Sequence, residues 1–135
     1  MPKPLIDISS IDLTEVAVDA DEVARLNPQC GAMRQLDHVI KLDLEGRVIV
    51  GVKHISENEF WVPLHIPGRP LMPGVLMIEA LAQLCSVYFH KLALHLGDPD
   101  HARFLGFTRV DATSFRGQVV PGDDLHLICA DIDYT

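Results

Sequence analysis

Residues 65–95 read HIPGRPLMPGVLMIEALAQLCSVYFHKLALH. Pro67, Pro70 and Pro73 fix their own backbone angles and push Ile66, Arg69 and Met72 away from helical geometry. Residues 65–72 are therefore expected to be extended and rigid, with the His65 imidazole on a pre-organised arm. Pro73 suits the first position of a helix, where its missing N–H costs nothing, and Gly74 follows with no side chain to shield the backbone. The first amides of a helix lack internal partners and carry the positive end of its dipole. Those of Gly74 and Val75 can face a bound oxygen, which makes them candidate oxyanion donors.

From Val75 to Phe89 only Glu79, Gln83 and Ser86 are polar. A helix that is apolar nearly all round is buried, in a protein core or in a membrane. The three exceptions, continued by His90, are spaced by four, three and four residues and form one stripe. Helical side chains lean toward the N-terminus, so Glu79 points back at the turn that holds Gly74 and Val75. A carboxyl, an imidazole and free backbone donors can thus converge on one mouth. Glu79 and Gln83 in the middle of the apolar run argue against a membrane span. The pattern alone leaves a second reading open, in which His65 is structural and Glu79 is simply satisfied by Gln83.

HIPGRPLMPGVLMIEALAQ, residues 65–83, closely resembles the signature of the beta-hydroxyacyl-(acyl-carrier-protein) dehydratases of fatty-acid synthesis, the FabZ type. FRGQVVPGDDL, Phe115 to Leu125, is similar to that family's second hallmark. The resemblance covers most of the chain from about Met33 onward. It implies an α+β hot-dog fold, a long central helix wrapped by an antiparallel β-sheet. It also implies His65 as catalytic base, Glu79 as its acid partner and Gly74 as an oxyanion donor; Val75 and Gln83 stand beside them as candidate oxyanion or substrate-binding residues. The sister class that also isomerises its product usually has aspartate where Glu79 stands, so simple dehydration is implied. Two departures are visible. Leu64 and Ile66 flank the histidine where the family usually has glycine and phenylalanine, and the chain to Thr135 is expected to fall one strand short of the family's sheet. The implied partners are an acyl carrier protein bearing a phosphopantetheine-linked acyl chain and a second copy of the chain. A homodimer, or a trimer of dimers, would share sites between His65 of one subunit and Glu79 of the other.

The 135 residues, 48% hydrophobic, suit one domain, with residues 1–30 as an N-terminal extension that holds a short helix. A formal charge of −8 argues against nucleic acid and anionic membrane surfaces. Docking of an acidic carrier then needs a local basic patch, for which Arg69, Lys91, Arg103, Arg109 and Arg116 are candidates. Cys30, Cys85 and Cys129 lack paired spacing and suit free thiols in a reducing compartment, the cytoplasm. No metal is expected, since His90 and His95 stand five apart with no ligand set to complete a site, and no glycine-rich cofactor loop appears.

In residues 1–18, Leu5, Ile6, Ile8, Ile11, Leu13, Val16 and Val18 could cover a sheet edge, in a segment expected to be loosely attached. Asp19 or Asp21 can cap a short helix that Asn27 and Pro28 end. Ile40, Leu42 and Leu44, then Val48, Val50 and Val52 after Glu45-Gly46, read as a hairpin with one buried face. Phe60 and Trp61 lead to His65, either as channel walls or as packing. Gly97 and Pro99 end the long helix; Phe104–Phe107, Val110–Val120 and Leu125–Tyr134 read as strands, the last with a bulge near Ile128.

The implied reaction removes water from a (3R)-hydroxyacyl thioester to give a trans-2-enoyl thioester. Three alternatives share the substrate class or the fold: a hot-dog acyl thioesterase, an enoyl hydratase acting on coenzyme A thioesters, and a non-catalytic acyl-binding module. Retention of both His65 and Glu79 argues against the last.

Overall fold

In the computed structural model, which describes residues 5–98, 105–106 and 108–133, the expected hairpin forms the centre of the sheet. Strands β1 (His38–Asp43) and β2 (Val48–His54) run antiparallel, and β3 (Asp124–Cys129) pairs antiparallel with the other edge of β2, giving the order β1-β2-β3. The hairpin turns over residues 44–47, where the Gly46 amide donates to Asp43 Oδ1 at 2.8 Å. A Cβ on Gly46 would lie 2.3 Å from that carboxylate, so a larger residue there would displace the Asp43 side chain from this bond, while the left-handed backbone of the turn falls on Arg47 at φ 59°.

Val39 and Leu42 both pack on the side of the long helix, although strict alternation would send residues three apart to opposite faces. The register shifts between Val39 and Lys41, and this β-bulge sets Ile40 and Lys41 against the single residue Val50. The bulge therefore lies in β1, not near Ile128. From Asp124 to Cys129 the pairing with β2 is unbroken, and the apolar phase change there marks the strand's end, just before Asp131 turns to φ 54°.

Both faces of the sheet are covered. On one, Val39, Ile49 and Leu127 join Ala80, Leu84, Val87 and Tyr88 of the long helix. On the other, Ile40, Val50 and Val52 meet Ile6, Ile11 and Ile128. Within the described part of the N-terminal segment, Ile6 and Ile11 pack on the outer face, while Leu5, Ile8, Leu13 and Val16 stay exposed. Val18 and Val39 fasten it by exchanging backbone hydrogen bonds of 2.9 and 3.2 Å. Helix α1 (Ala20–Leu26) follows, capped by Asp19, whose Oδ1 accepts from the Glu22 amide at 2.8 Å.

Helix α2 (Gly74–His95) is the central element. Pro73 is its cap, at ψ 133°, rather than its first helical residue. Its far end closes with Gly97 at φ 75°: Asp98 N reaches Ala93 O at 2.9 Å and Gly97 N reaches Leu94 O at 3.2 Å, the paired bonds of a Schellman motif. By length and composition α2 could cross a membrane, yet its Ala80, Leu84 and Val87 are fully enclosed against strands. Gly51 brings the layers together, since a Cβ there would stand 2.7 Å from methyl carbons of both Leu36 and Leu84.

The sheet covers one side of α2. Val75 and Leu94 remain 71% and 52% exposed, so the expected all-round burial holds only toward the sheet. The expected strand Val110–Val120 is also corrected. Residues 110–120 pair with no strand among the described residues, and Val110 and Phe115 are exposed. Asp111 accepts from Arg109 and, through its carbonyl, from Thr113, while Ala112 turns to φ 47°; this local knot breaks the extended run. Of the expected strand Phe104–Phe107, Leu105 and Gly106 carry no strand, and the other two lie outside the described residues.

Candidate active site

His65 stands in a compact turn, not on an extended arm. The His65 and Leu64 amides both donate to Trp61 O, at 2.8 and 3.1 Å, and Trp61 is buried in a cluster with Ile55 and Met72. Pro67-Gly68 then makes a type II turn, with Gly68 at φ 82° and Arg69 N bonded to Ile66 O at 2.9 Å. Proline followed by glycine favours this turn over extension, which corrects the expectation for residues 65–69; at the helix entry Pro73 is extended. The His65 ring lies open to solvent, with Nδ1 2.7 Å from Leu71 O. A carbonyl can only accept, so Nδ1 carries the hydrogen in the neutral ring and Nε2 keeps its lone pair free.

Glu79 occupies the second turn of α2. Its Oε1 accepts from Gln83 Nε2 at 3.1 Å. Gln83 is itself only 1% exposed: Nε2 also donates to Met33 O at 2.8 Å, and Oε1 accepts from Gln35 N at 2.8 Å. Its backbone carbonyl accepts from Asn27 Nδ2 at 2.9 Å. The Gln83 amide is therefore fully engaged with the protein and holds one oxygen of the Glu79 carboxylate in place. Glu79 lines a cleft of about 360 Å³ whose other walls include Ala82, Cys85, Ser86 and Phe89, one face of α2. Burial holds the His90 imidazole, next along the polar stripe, below its ordinary range.

At the start of α2, Pro73 offers no side-chain cap, and among the described residues nothing accepts from the Gly74 and Val75 amides. A Cβ on Gly74 would lie 2.8 Å from the Phe115 ring, so the second hallmark stretch packs on the helix N-terminus; Met72 N fixes it further by bonding Val119 O at 2.9 Å. The structure thus brings Glu79 and Gln83 together and leaves the Gly74 and Val75 amides open. It does not join His65 to Glu79 within one chain: no hydrogen bond links them, and His65 is not among the residues lining the Glu79 cleft.

Matched against known protein families, residues 27–131 fit the FabA-like domain. The chain belongs to the FabA-like family. It is 42% identical over 113 residues to the 3-hydroxyacyl-(acyl-carrier-protein) dehydratase FabZ of Xanthomonas oryzae pv. oryzae (strain PXO99A), covering 84% of this chain and 72% of that protein. The protein of the same name from Xanthomonas campestris pv. campestris (strain B100) matches to the same extent. That from Desulforamulus reducens is 36% identical over 110 residues, covering 82% of this chain and 73% of its own. Within this FabA-like chain the matched span holds α2, all three described strands and every candidate site residue.

Several residues around the candidate site left no trace in the sequence. Leu71, Met33 and Gln35 act through backbone groups, which any residue possesses. Gln29, Leu105 and Gly106 reach the cleft only through the fold. Among the candidate basic residues, Lys91 pairs with Glu22 and Arg109 with Asp111, and Arg103 lies outside the described residues. Arg69 and Arg116 are exposed, with no carboxylate partner among the described residues.

Proposed function

We propose that this chain is a hydro-lyase that removes water from (3R)-hydroxyacyl thioesters carried on acyl carrier protein, giving trans-2-enoyl thioesters in cytoplasmic fatty-acid synthesis. The observation that carries this reading is Glu79, a carboxylate held by Gln83 in the wall of a cleft along α2, in a FabA-like chain that keeps the histidine of the dehydratase signature.

In the proposed reaction, His65 Nε2 accepts the proton from the carbon beside the thioester carbonyl, while Nδ1 donates to Leu71 O and steadies the resulting imidazolium. The Gly74 and Val75 amides receive the charge that develops on the thioester oxygen. Glu79, which enters this step in its carboxylic-acid form, gives its proton to the departing hydroxyl as the carbon–oxygen bond breaks and water leaves; the proton taken up by His65 then passes to the Glu79 carboxylate and restores both groups. Gln83 acts as a positioning residue for Glu79. The acyl chain runs along the face of α2 from Glu79 toward Phe89.

A homodimer completes the site. The Glu79 cleft is lined by no His65 of its own chain, and Val75, Leu64 and Ile66 leave apolar surface around the helix start and the histidine turn. A two-fold partner would supply His65 across that surface and generate two equivalent sites.

The test is to offer a 3-hydroxyacyl thioester on acyl carrier protein and on coenzyme A, following enoyl absorbance beside free thiol. The reading expects enoyl product without thiol, formed faster on the carrier protein. His65→Ala and Glu79→Gln should each lower turnover at least about a hundredfold. Thiol release would instead mark a thioesterase, preference for coenzyme A a hydratase, and neither product a binding module.

A further inference from the structure

Cys85 on α2 and Cys129 on β3 bring their sulfurs to 3.2 Å across 44 residues of sequence, the two thiols sharing a hydrogen bond. Both are half-buried and free, and Cys85 is also part of the Glu79 cleft wall, where a small solute can reach it. A disulfide needs sulfurs about 2.05 Å apart, so the pair must close by little more than 1 Å. The third cysteine, Cys30, is exposed.

We propose that Cys85 and Cys129 form a reversible dithiol site for small disulfides, in which Cys85 attacks the reagent and Cys129 resolves the adduct. The chemistry runs in two exchanges. The Cys85 thiolate attacks one sulfur of the small disulfide, forming a mixed disulfide and expelling the first thiolate, which takes up a proton. Cys129 then gives up its proton and attacks the Cys85 sulfur; the bond between Cys85 and the adduct breaks, and the second small thiol leaves. The reagent is reduced to two thiols, and the protein is oxidised by two electrons to a Cys85–Cys129 bond. Electrostatics agree with the order of attack. Its hydrogen bond to Cys129 holds the Cys85 thiol below the usual range, while the contact with Cys85, and then burial, pushes Cys129 up. The proton thus stays on Cys129 and the nucleophile is Cys85.

The consequence lies in the cleft. A mixed disulfide on Cys85 would fill space beside Glu79, and resolution by Cys129 empties it again. The cross-link also ties α2 to the sheet edge that it already packs against, leaving the layers as they stand.

Glutathione disulfide is the probe, added to the full chain until Cys30 is completely blocked, followed by alkylation of remaining thiols and peptide mass spectrometry. The expected product is a Cys85–Cys129 cross-linked peptide that reductant reverses. Cys129→Ser and Cys129→Ala should both retain glutathione on Cys85, which separates loss of the resolving sulfur from loss of the hydrogen bond. Cys85→Ser should leave Cys129 alkylatable. The proposal is overturned if Cys85 and Cys129 stay alkylatable once Cys30 is blocked, if wild-type Cys85 keeps its adduct, or if Cys30 is the residue that pairs with Cys85.

Discussion

Gln83 ties the turn around residues 33–35 to Glu79 through a single side-chain amide. Replacing it with the similarly sized Gln83→Leu would leave the buried Gln35 backbone amide without its partner, remove the part-buried bond to the Met33 carbonyl, and free the Glu79 carboxylate to rotate. The cost to stability should be on the order of 3 kcal/mol, read as a shift in urea midpoint, with turnover falling beyond what the loss of folded protein explains. Such a residue shows what can be read from sequence at this scale. His65, Glu79 and Gln83 were legible because their polarity interrupts an apolar or proline-rich setting at a recognisable spacing. What each one touches was not. The Leu71 carbonyl that sets the His65 tautomer, and the backbone groups that saturate Gln83, are common to every residue.

Between elements, the approach of α2 to β2 is governed by Gly51. A methyl group there would stand 2.7 Å from carbons of Leu36 and Leu84, both fully enclosed, and 3.3 Å from His38 O. Gly51→Ala should therefore cost about 1–3 kcal/mol from overpacking, measured by chemical unfolding, although alanine is otherwise better than glycine in a strand. Gly74→Ala makes the contrast, because the Phe115 ring it would meet is 55% exposed and can swing away. Its unfolding midpoint should stay close to that of the parent. The long helix and hairpin were visible in the sequence through their apolar periods and through Gly97 and Gly46. Two features were not. The β1 bulge hides because Ile40, Leu42 and Leu44 alternate as if regular, and residues 110–120 look like a strand although Asp111 and Ala112 turn the backbone locally.

For the whole molecule, a formal charge of −8 opposes the approach of an acidic carrier, so docking depends on where the remaining cations lie. Arg69 beside the histidine turn and Arg116 beside Phe115 are the two exposed candidates without carboxylate partners among the described residues. Arg69→Glu with Arg116→Glu should raise KM for the carrier-bound thioester about tenfold or more at low salt, and leave kinetics on a small thioester mimic nearly unchanged. Equal losses on both substrates would place these arginines in the chemistry rather than in docking.

The shared site is the claim on which the mechanism depends, because Glu79 lines a cleft that His65 of the same chain does not enter. Its most direct measurement mixes inactive His65→Ala protein with inactive Glu79→Gln protein after dissociating both. Half of the re-formed dimers should be mixed, each with one intact pair in two, so about a quarter of the parent activity should return. No recovery after proven subunit exchange would contradict the shared site and put both residues to work within one subunit.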